Sequence, residues 1–529
     1  MSRRYTGDWI VTSLLVDRAE RFADEVAIAA EDGHATYAGL VERAARVGGL
    51  LTALGVQPGD RVATMVPSSL DYVAAWHGIV WAGAVDVPVN VEFRGGFLEH
   101  VLRDSGSSVL VLDARYRSRL DAIDLGDVRH LVVVGSVEVE PPAGVEVHAF
   151  ADALAHDPRD RHPATETDPT YIMYTSGTTG PSKGAVHCNR SSIHYIMPFV
   201  EGLDLADDDV CYSMFPLFHQ MGRSACTTSS LWVGNRVELR SGFSASGFWD
   251  DIRACGATWA GYFGAVVLFL WQQEPRPDDR DHGLRRAFGS SAAPELIVPW
   301  EERFGVTLFE VYGSTEIGLG SGLGTGDPSC RAFEAPCRHL EVQIVDERDE
   351  PVPAGVVGEA LWRPKYPYAI FQGYWNRPEA TLETFRNLWY HSGDAGYLDD
   401  EGYFVFKDRL KDSIRRRGEN ISSFEVEQAV REQPGVVEAA AYAVPGVVST
   451  EEEVMVAVVP VADGPPDPET LFRALCQTMP RHAVPRYLRF MDELPKTPTQ
   501  RIQKFRLRED GVTTDAVDRE VLGIHPPRE

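Results

Sequence analysis

Residues 174–184 read YTSGTTGPSKG. Six of these eleven residues carry a hydroxyl, three are glycine, and Lys183 is the sole charge. Gly177, Gly180 and Gly184 let backbone N–H groups converge without Cβ obstruction, while Thr175, Ser176, Thr178 and Thr179 add hydroxyl donors. A loop so equipped suits a polyphosphate, with the lysine as counter-charge. The Walker pattern does not fit, because G-x-x-x-x-G-K-[ST] requires glycine where Ser182 stands and a hydroxyl residue where Gly184 stands. Further along, VYGSTEIG (311–318) sets Tyr312, Gly313, Ser314, Thr315 and Glu316 in succession. The ring can stack on a base, Thr315 can donate to phosphate, and Glu316 can give one oxygen to Mg²⁺. YHSGD (390–394) holds His391, Ser392 and Asp394 together. Neighbours in sequence do not by that alone form a nucleophile–base line, and no G-x-S-x-G elbow occurs.

Elements must hold these residues in place. PTYIMYT (169–175) is rich in β-branched and aromatic residues and reads as a strand. NRSSIHYIMPF (189–199) opens with N-cap candidates and reads as a helix, so the glycines are expected in a strand-to-helix loop. Upstream, Leu40, Val41, Ala44, Val47, Leu50, Leu51 and Leu54 fall at helical spacing and Gly55 supplies a stop. RVATMV, a helix over 69–82, VDVPVN, a helix over 95–105 and SVLVLD follow. Short apolar strands alternating with helices imply parallel sheets, whose ligands sit at the carboxyl ends of the strands. GAVVLFLW (264–271) reads as core helix or strand, and PRPDDRDHG (275–283) as an exposed loop. The charged segment KDRLKDSIRRRGENIS (407–422) lacks an apolar period and separates the long first part from a fresh strand–helix pattern. The expected division is a region 1–410, a small domain 411–510 and a poorly ordered tail 511–529 that adds to neither core.

The 529 residues exceed one ordinary core. A formal charge of −27 argues against a nucleic-acid or anionic-membrane surface, with Arg415–Arg417 the local exception. Seven cysteines without a C-x-x-C pair favour free thiols in a reducing compartment. The first residues make no convincing signal peptide and no apolar run approaches about 20 residues, so a cytoplasmic location is expected.

YTSGTTGPSKG resembles the phosphate-binding signature of the adenylate-forming superfamily of acyl-CoA synthetases, adenylation domains and luciferases. FPLFHQMG (215–222), FGSSAAP (288–294), VYGSTEIG, YHSGD, DRLKDSIRRRGENIS (408–422) and PKTPTQRIQK (495–504) fall in that family's order, so the resemblance covers nearly the whole chain. Within it, the chain looks most like crotonobetaine/carnitine-type acyl-CoA ligases. The resemblance implies an α/β fold: a large N-terminal region of mixed α/β subdomains plus a small mobile C-terminal α/β domain. It implies ATP, Mg²⁺ and CoA as partners of a small-molecule carboxylic acid, activated as its adenylate and passed to a thiol.

By the same resemblance, Thr175, Ser176, Gly177, Thr178, Thr179, Gly180 and Lys183 hold the β- and γ-phosphates. Ser291, Ala292 and Ala293 lie against adenine, with Tyr312 and Gly313. Thr315 meets the α-phosphate, Glu316 meets Mg²⁺, and Asp394 accepts the ribose hydroxyls with Arg409 as its partner. His219, with Tyr262, Phe263 and Gly264, belongs to the acyl pocket and thiol tunnel. Arg223 can meet a second anionic group, or nearby aromatics can cage a quaternary ammonium. Lys411 occupies the hinge, and the arginine run with Gly418 faces the nucleotide of CoA.

One motif departs. Where the family reads P-K-T-x-x-G-K, this chain has Gln500 for the glycine and Arg501 for the final lysine. A guanidinium keeps the charge without reproducing an ammonium's point contact. Three readings stay open: Arg501 serves, Lys504 serves from three residues on, or the first half-reaction is altered. The altered case admits use of ATP for another bond, such as nitrite-dependent diazotisation of an aromatic amine. A peptide-synthetase loading domain finds no carrier motif here, nothing specific favours a luciferase, and a non-catalytic nucleotide sensor is the reading from another class.

Overall fold

The computed structural model describes residues 4–136, 142–175, 181–290, 292, 294–322, 339–409, 413–416, 419–446, 452–461, 464, 466–495 and 502–527. A seven-stranded sheet runs Glu146–Ala149, His130–Val134, Val109–Asp113, Arg61–Met65, Val85–Pro88, Pro169–Thr175, Lys183–Cys188 among the described residues. It is parallel except at its last pair. An eight-stranded sheet runs Gly318–Gly322, Thr307–Ser314, Arg286–Ser290, Trp259–Phe263, Val210–Ser213, Arg236–Leu239, Val26–Ala30, Gly33–Thr36. Its two end pairs alone are antiparallel.

Helix Tyr37–Ala53 matches the apolar period that suggested it, and helix Leu70–Trp81, buried nearly all round, lies where a second helical stretch was expected. Thr36 and Ser69 accept from the backbone N–H groups of Gly39 and Tyr72, satisfying donors that a helix start leaves open. The two helices approach closely because Gly78 has no side chain; a Cβ there would stand 2.5 Å from Val47. GAVVLFLW is the helix Gly264–Trp271, and 275–283 forms no helix or strand.

One local expectation fails. The glycine-rich stretch does not lead straight into a helix: a strand, Lys183–Cys188, intervenes, and the helix begins at Asn189 with Cys188 as its cap. The intervening residues lack a β-rich signature, and pairing decides the matter. Strand Pro169–Thr175 lies on one side in antiparallel register. On the other, the Val186 N–H donates to Gly373 O at 3.0 Å and the Trp375 N–H to Gly184 O at 2.7 Å.

A four-stranded antiparallel sheet, Leu340–Val345, Gly358–Pro364, Tyr390–Leu398 and Phe404–Arg409, follows. The last part packs helices Ser423–Arg431 and Pro468–Thr478 on a sheet of Val436–Pro445, Glu452–Pro460, Tyr487–Phe490 and Val517–Asp518. The tail does contribute to that core, against expectation. Val517 and Asp518 pair with Leu488 and Tyr487, Ile524 is buried, and buried Arg519 donates to Pro485 O at 3.2 Å. Its polarity hid this, because one strand pair and a few scattered apolar residues give no period. No helix among the described residues is long and apolar enough to cross a membrane.

Candidate nucleotide and acyl site

The end of strand Pro169–Thr175 brings the first group together. Thr175 lies opposite Lys183 in the ladder. Lys183 Nζ sits 5.2 Å from the centroid of the Tyr374 ring. The Tyr374 hydroxyl donates to Glu316 Oε1 at 3.0 Å, and Thr175 Oγ1 donates to the same oxygen at 3.4 Å. Burial and the Glu316 charge push the Tyr374 hydroxyl far above its ordinary pKa, so it remains a donor. Glu316 is buried in the turn between Thr307–Ser314 and Gly318–Gly322, beside Thr315. Sequence reasoning missed Tyr374. No period marks it, and its place comes from the segment 373–375 pairing with strand Lys183–Cys188. Ser176, Gly177, Thr178, Thr179 and Gly180 lie outside the described residues.

A second group forms around Tyr312. Its hydroxyl donates to Asp394 Oδ2 at 2.6 Å, joining two motifs 82 residues apart. The Tyr312 ring stacks near Trp362, with centroids 5.5 Å apart, and meets Phe404 edge-on at 4.7 Å. Burial, with the Asp394 charge, raises the Tyr312 hydroxyl far above its usual range. Arg409 is the cross-strand partner of Asp394 by backbone register. Nearby, Glu310 accepts from the Ala292 N–H at 3.0 Å and from the Tyr262 hydroxyl at 2.7 Å, so Tyr262 is anchored core rather than an open pocket wall. Glu310 also escaped sequence reasoning. Ser291 and Ala293 lie outside the described residues.

His219 meets the last part of the chain. Burial lowers its proton affinity, and of the charges on the hairpin Ser413–Arg416/Glu419–Ser422, Glu419 raises it and Arg415 lowers it. Arg415 Nη2 donates to Ser290 Oγ at 2.8 Å. The neighbouring arginine differs: Arg416 is buried, donates to Val484 O at 2.9 Å and pairs with Glu453 at 2.7 Å. It is a structural cation, so the expectation that the whole run faces a nucleotide fails at Arg416. Lys411, Gly418 and Arg501 lie outside the described residues. Lys504 is not brought to Thr315 and Glu316; its Nζ bonds Ser423 Oγ at 2.8 Å and Glu427 Oε1 at 2.6 Å.

Arg223 follows His219 on the π-helix Met221–Thr228. It donates to Asp86 Oδ2 at 2.5 Å, both side chains fully buried, while Thr64 donates to Asp86 Oδ1 at 2.7 Å. The guanidinium lies 4.0 Å from the Trp76 centroid and 4.9 Å from that of Tyr171. Those aromatics cage the protein's own cation, and Asp86 neutralises it. Neither sequence expectation for Arg223 describes this arrangement.

A mostly parallel two-sheet region with hydroxyl, lysine and carboxylate groups at strand ends, together with a small α/β unit, is the arrangement expected of the adenylate-forming class. The chain belongs to the AMP-binding enzyme family, which matches residues 15–375, and the AMP-binding enzyme C-terminal domain matches residues 425–501. It is 30% identical over 487 residues to a crotonobetaine/carnitine–CoA ligase of Salmonella typhi, covering 89% of this chain and 93% of that one. An o-succinylbenzoate CoA synthetase double mutant from Bacillus subtilis, bound to a product analogue, superposes with TM-score 0.80 at 22% identity, covering 94% and 98%. The amide bond synthetase McbA from Marinactinospora thermotolerans superposes with TM-score 0.79 at 25% identity, covering 94% and 99%. The chain is an AMP-forming ligase of the acyl-CoA synthetase type, a family that uses ATP, Mg²⁺ and CoA.

Proposed function

We propose that this chain activates a small carboxylic acid as its acyl-adenylate and transfers the acyl group to CoA. The carboxylate attacks the α-phosphorus, the α–β phosphoanhydride breaks and pyrophosphate leaves. The CoA thiol then attacks the acyl carbonyl, and AMP departs. The convergence of Thr175, Lys183, Tyr374 and Glu316 carries this reading, since such chemistry needs positioning and charge neutralisation.

Lys183 neutralises the β- and γ-phosphates, and the hydroxyls and N–H groups of residues 176–180 take the remaining oxygens. Thr315 holds the α-phosphate. Asp394, oriented by Tyr312, takes the ribose hydroxyls beside Arg409, and Ala292 with Gly313 borders adenine. Around Glu316 the donors are hard oxygens, the set Mg²⁺ prefers, and the ion would neutralise phosphate charge there. His219 lines the route to the acyl carbon. We place the large region at 1–410 and the mobile unit at 411–510, with its hinge at Lys411. The tail's packing supports extending that unit beyond 510. Lys504's engagement with Glu427 favours Arg501 as the cation for the first half-reaction.

Pyrophosphate release should be followed with ATP and Mg²⁺ across aliphatic, aromatic and betaine-like acids, each with and without CoA. Acid-dependent release, with thioester appearing on addition of CoA, is the expected result. Response only to aromatic amine with nitrite would overturn the acid reading, and acid-dependent release with no thioester would overturn CoA as acceptor.

A further inference from the structure

The outer edge of the seven-stranded sheet, at the opposite margin from strand Lys183–Cys188, carries two histidines and a glutamate on one face. His130 and Glu146 are partners in parallel register, and His148 follows Glu146 by two residues along the edge strand. A strand alternates its faces, so all three side chains stand on the same side of the sheet. His130 Nδ1 lies 3.3 Å from His148 Nε2. Glu146 Oε2 lies 3.6 Å from the first nitrogen and 3.9 Å from the second.

We propose that His130, Glu146 and His148 form a zinc site, with water as the fourth ligand. Nitrogen and oxygen ligands about 2.0–2.2 Å from a tetrahedral Zn²⁺ stand about 3.3–3.5 Å from one another. The nitrogen pair already has that separation. The glutamate needs a shift of only a few tenths of an ångström, and its side chain is 74% exposed and free to make it. The imidazoles are 20% and 25% exposed, held by the sheet yet open to an ion from solvent. Two imidazoles with one carboxylate suit zinc far better than the magnesium that serves a nucleotide.

A second histidine–carboxylate group shows what a filled arrangement looks like. Asp349, Glu359 and His391 also bring ligand atoms together, but Arg386 pairs with Asp349 and with Glu359, each at 3.2 Å. That guanidinium already occupies the place of a cation. Among the described residues, Glu146 pairs with its two histidines and with no lysine or arginine. The ion would tie the four-residue edge strand Glu146–Ala149 to its one sheet neighbour, His130–Val134. Helix Phe150–Ala155 continues from that strand and buries Phe150 and Ala153 in the main core, so the clamp would hold that helix too.

The test uses the untagged full-length protein, freed of metal by chelator and titrated calorimetrically with Zn²⁺. Co²⁺ serves as a spectroscopic probe of tetrahedral geometry. One equivalent should bind with micromolar affinity or better, and His130→Ala and His148→Ala should each weaken it at least about tenfold. Zinc should raise the melting temperature of the unaltered protein more than that of either variant at the same concentration. Glu146→Gln and His148→Gln provide a second pair should an alanine variant fold poorly. Pyrophosphate release by folded variants should match the parent, because these residues lie outside the ATP-facing groups. Binding that survives loss of both histidines, or no saturable binding below about millimolar zinc, would overturn the site.

Discussion

Thr175, Lys183, Glu316 and Tyr374 are joined to one another by hydrogen bonds, a strand pair and a cation–ring contact, inside paired strands and a short turn. The small unit touches the large region differently, through scattered single polar contacts. Glu425 accepts from the Ser182 N–H at 3.0 Å, Arg415 donates to Ser290 at 2.8 Å, and His482 Nδ1 meets Glu92 at 3.0 Å. Phe97 adds an apolar contact by joining the small unit's core cluster. Groups that must stabilise charge gain from rigid preorganisation. Single polar contacts between units can be exchanged one at a time, which suits the proposal that the small unit presents different faces in successive steps.

If that contrast holds, substitutions in the first region should abolish chemistry while leaving the second intact. Lys183→Ala should lower pyrophosphate release by about 10²–10³-fold, the usual cost of one lost charge-stabilising contact. Lys183→Arg should not restore it fully, because a planar fork replaces a point charge. Unchanged turnover at saturating ATP would remove Lys183 from the site. Next in size, Asp394→Ala should raise the KM for ATP by about tenfold, corresponding to about 1.4 kcal/mol. Tyr312→Phe, which deletes the 2.6 Å bond orienting that carboxylate, should follow in the same direction with a smaller effect. A fall in kcat at constant KM would instead place Asp394 at the reacting phosphate.

Arg415→Ala separates the two regions. Its partner Ser290 precedes the segment proposed to border adenine, but the residue itself belongs to the small unit. Thioester formation should fall about three- to tenfold while pyrophosphate release in the absence of CoA changes little. Equal loss in both would mean that Arg415 acts in adenylation as well.

The two regions also differed in how far the sequence revealed them. Helix Tyr37–Ala53 was legible from its apolar spacing, and Arg61–Met65 and Leu70–Trp81 from their local apolar composition. The order of motifs named the residues proposed to face ATP. Tyr374 and Glu310 were not legible, since each earns its position from a partner far along the chain. Strand Lys183–Cys188 was missed for the same reason, as two flanking segments make it a strand. Arg223 was open to two ligand readings until Asp86, 137 residues away, proved to be its counter-ion. Spacing within a motif reports which chemistry is equipped, and long-range pairing decides which charges remain to perform it.

The smallest expected effect is a pH dependence of the interface. For His482, burial works against the charge, yet the hydrogen bond to Glu92 and the charges of Glu419 and Glu92 outweigh it and Arg416, so its proton affinity is raised. For Glu92, burial pushes upward, yet the His482 bond and charge, with Arg481 beyond, lower it. The histidine's contribution to this arrangement is complete below the free imidazole value of about 6.5 and is lost as pH rises through the raised value. The glutamate's is complete above about 4.3 and is lost as pH falls through the lowered one. The contact is therefore strongest between about 4.3 and 6.5 and weakens on the alkaline side. The ratio of thioester formation to pyrophosphate release should fall as pH rises past neutrality in the parent protein. The corresponding profile for His482→Gln should be flatter, with a difference of less than about threefold, the range of a partly exposed ion pair. Superimposable profiles would show that this pair does not bias the small unit, leaving Glu425, Arg415 and the Phe97 packing among the contacts that hold it.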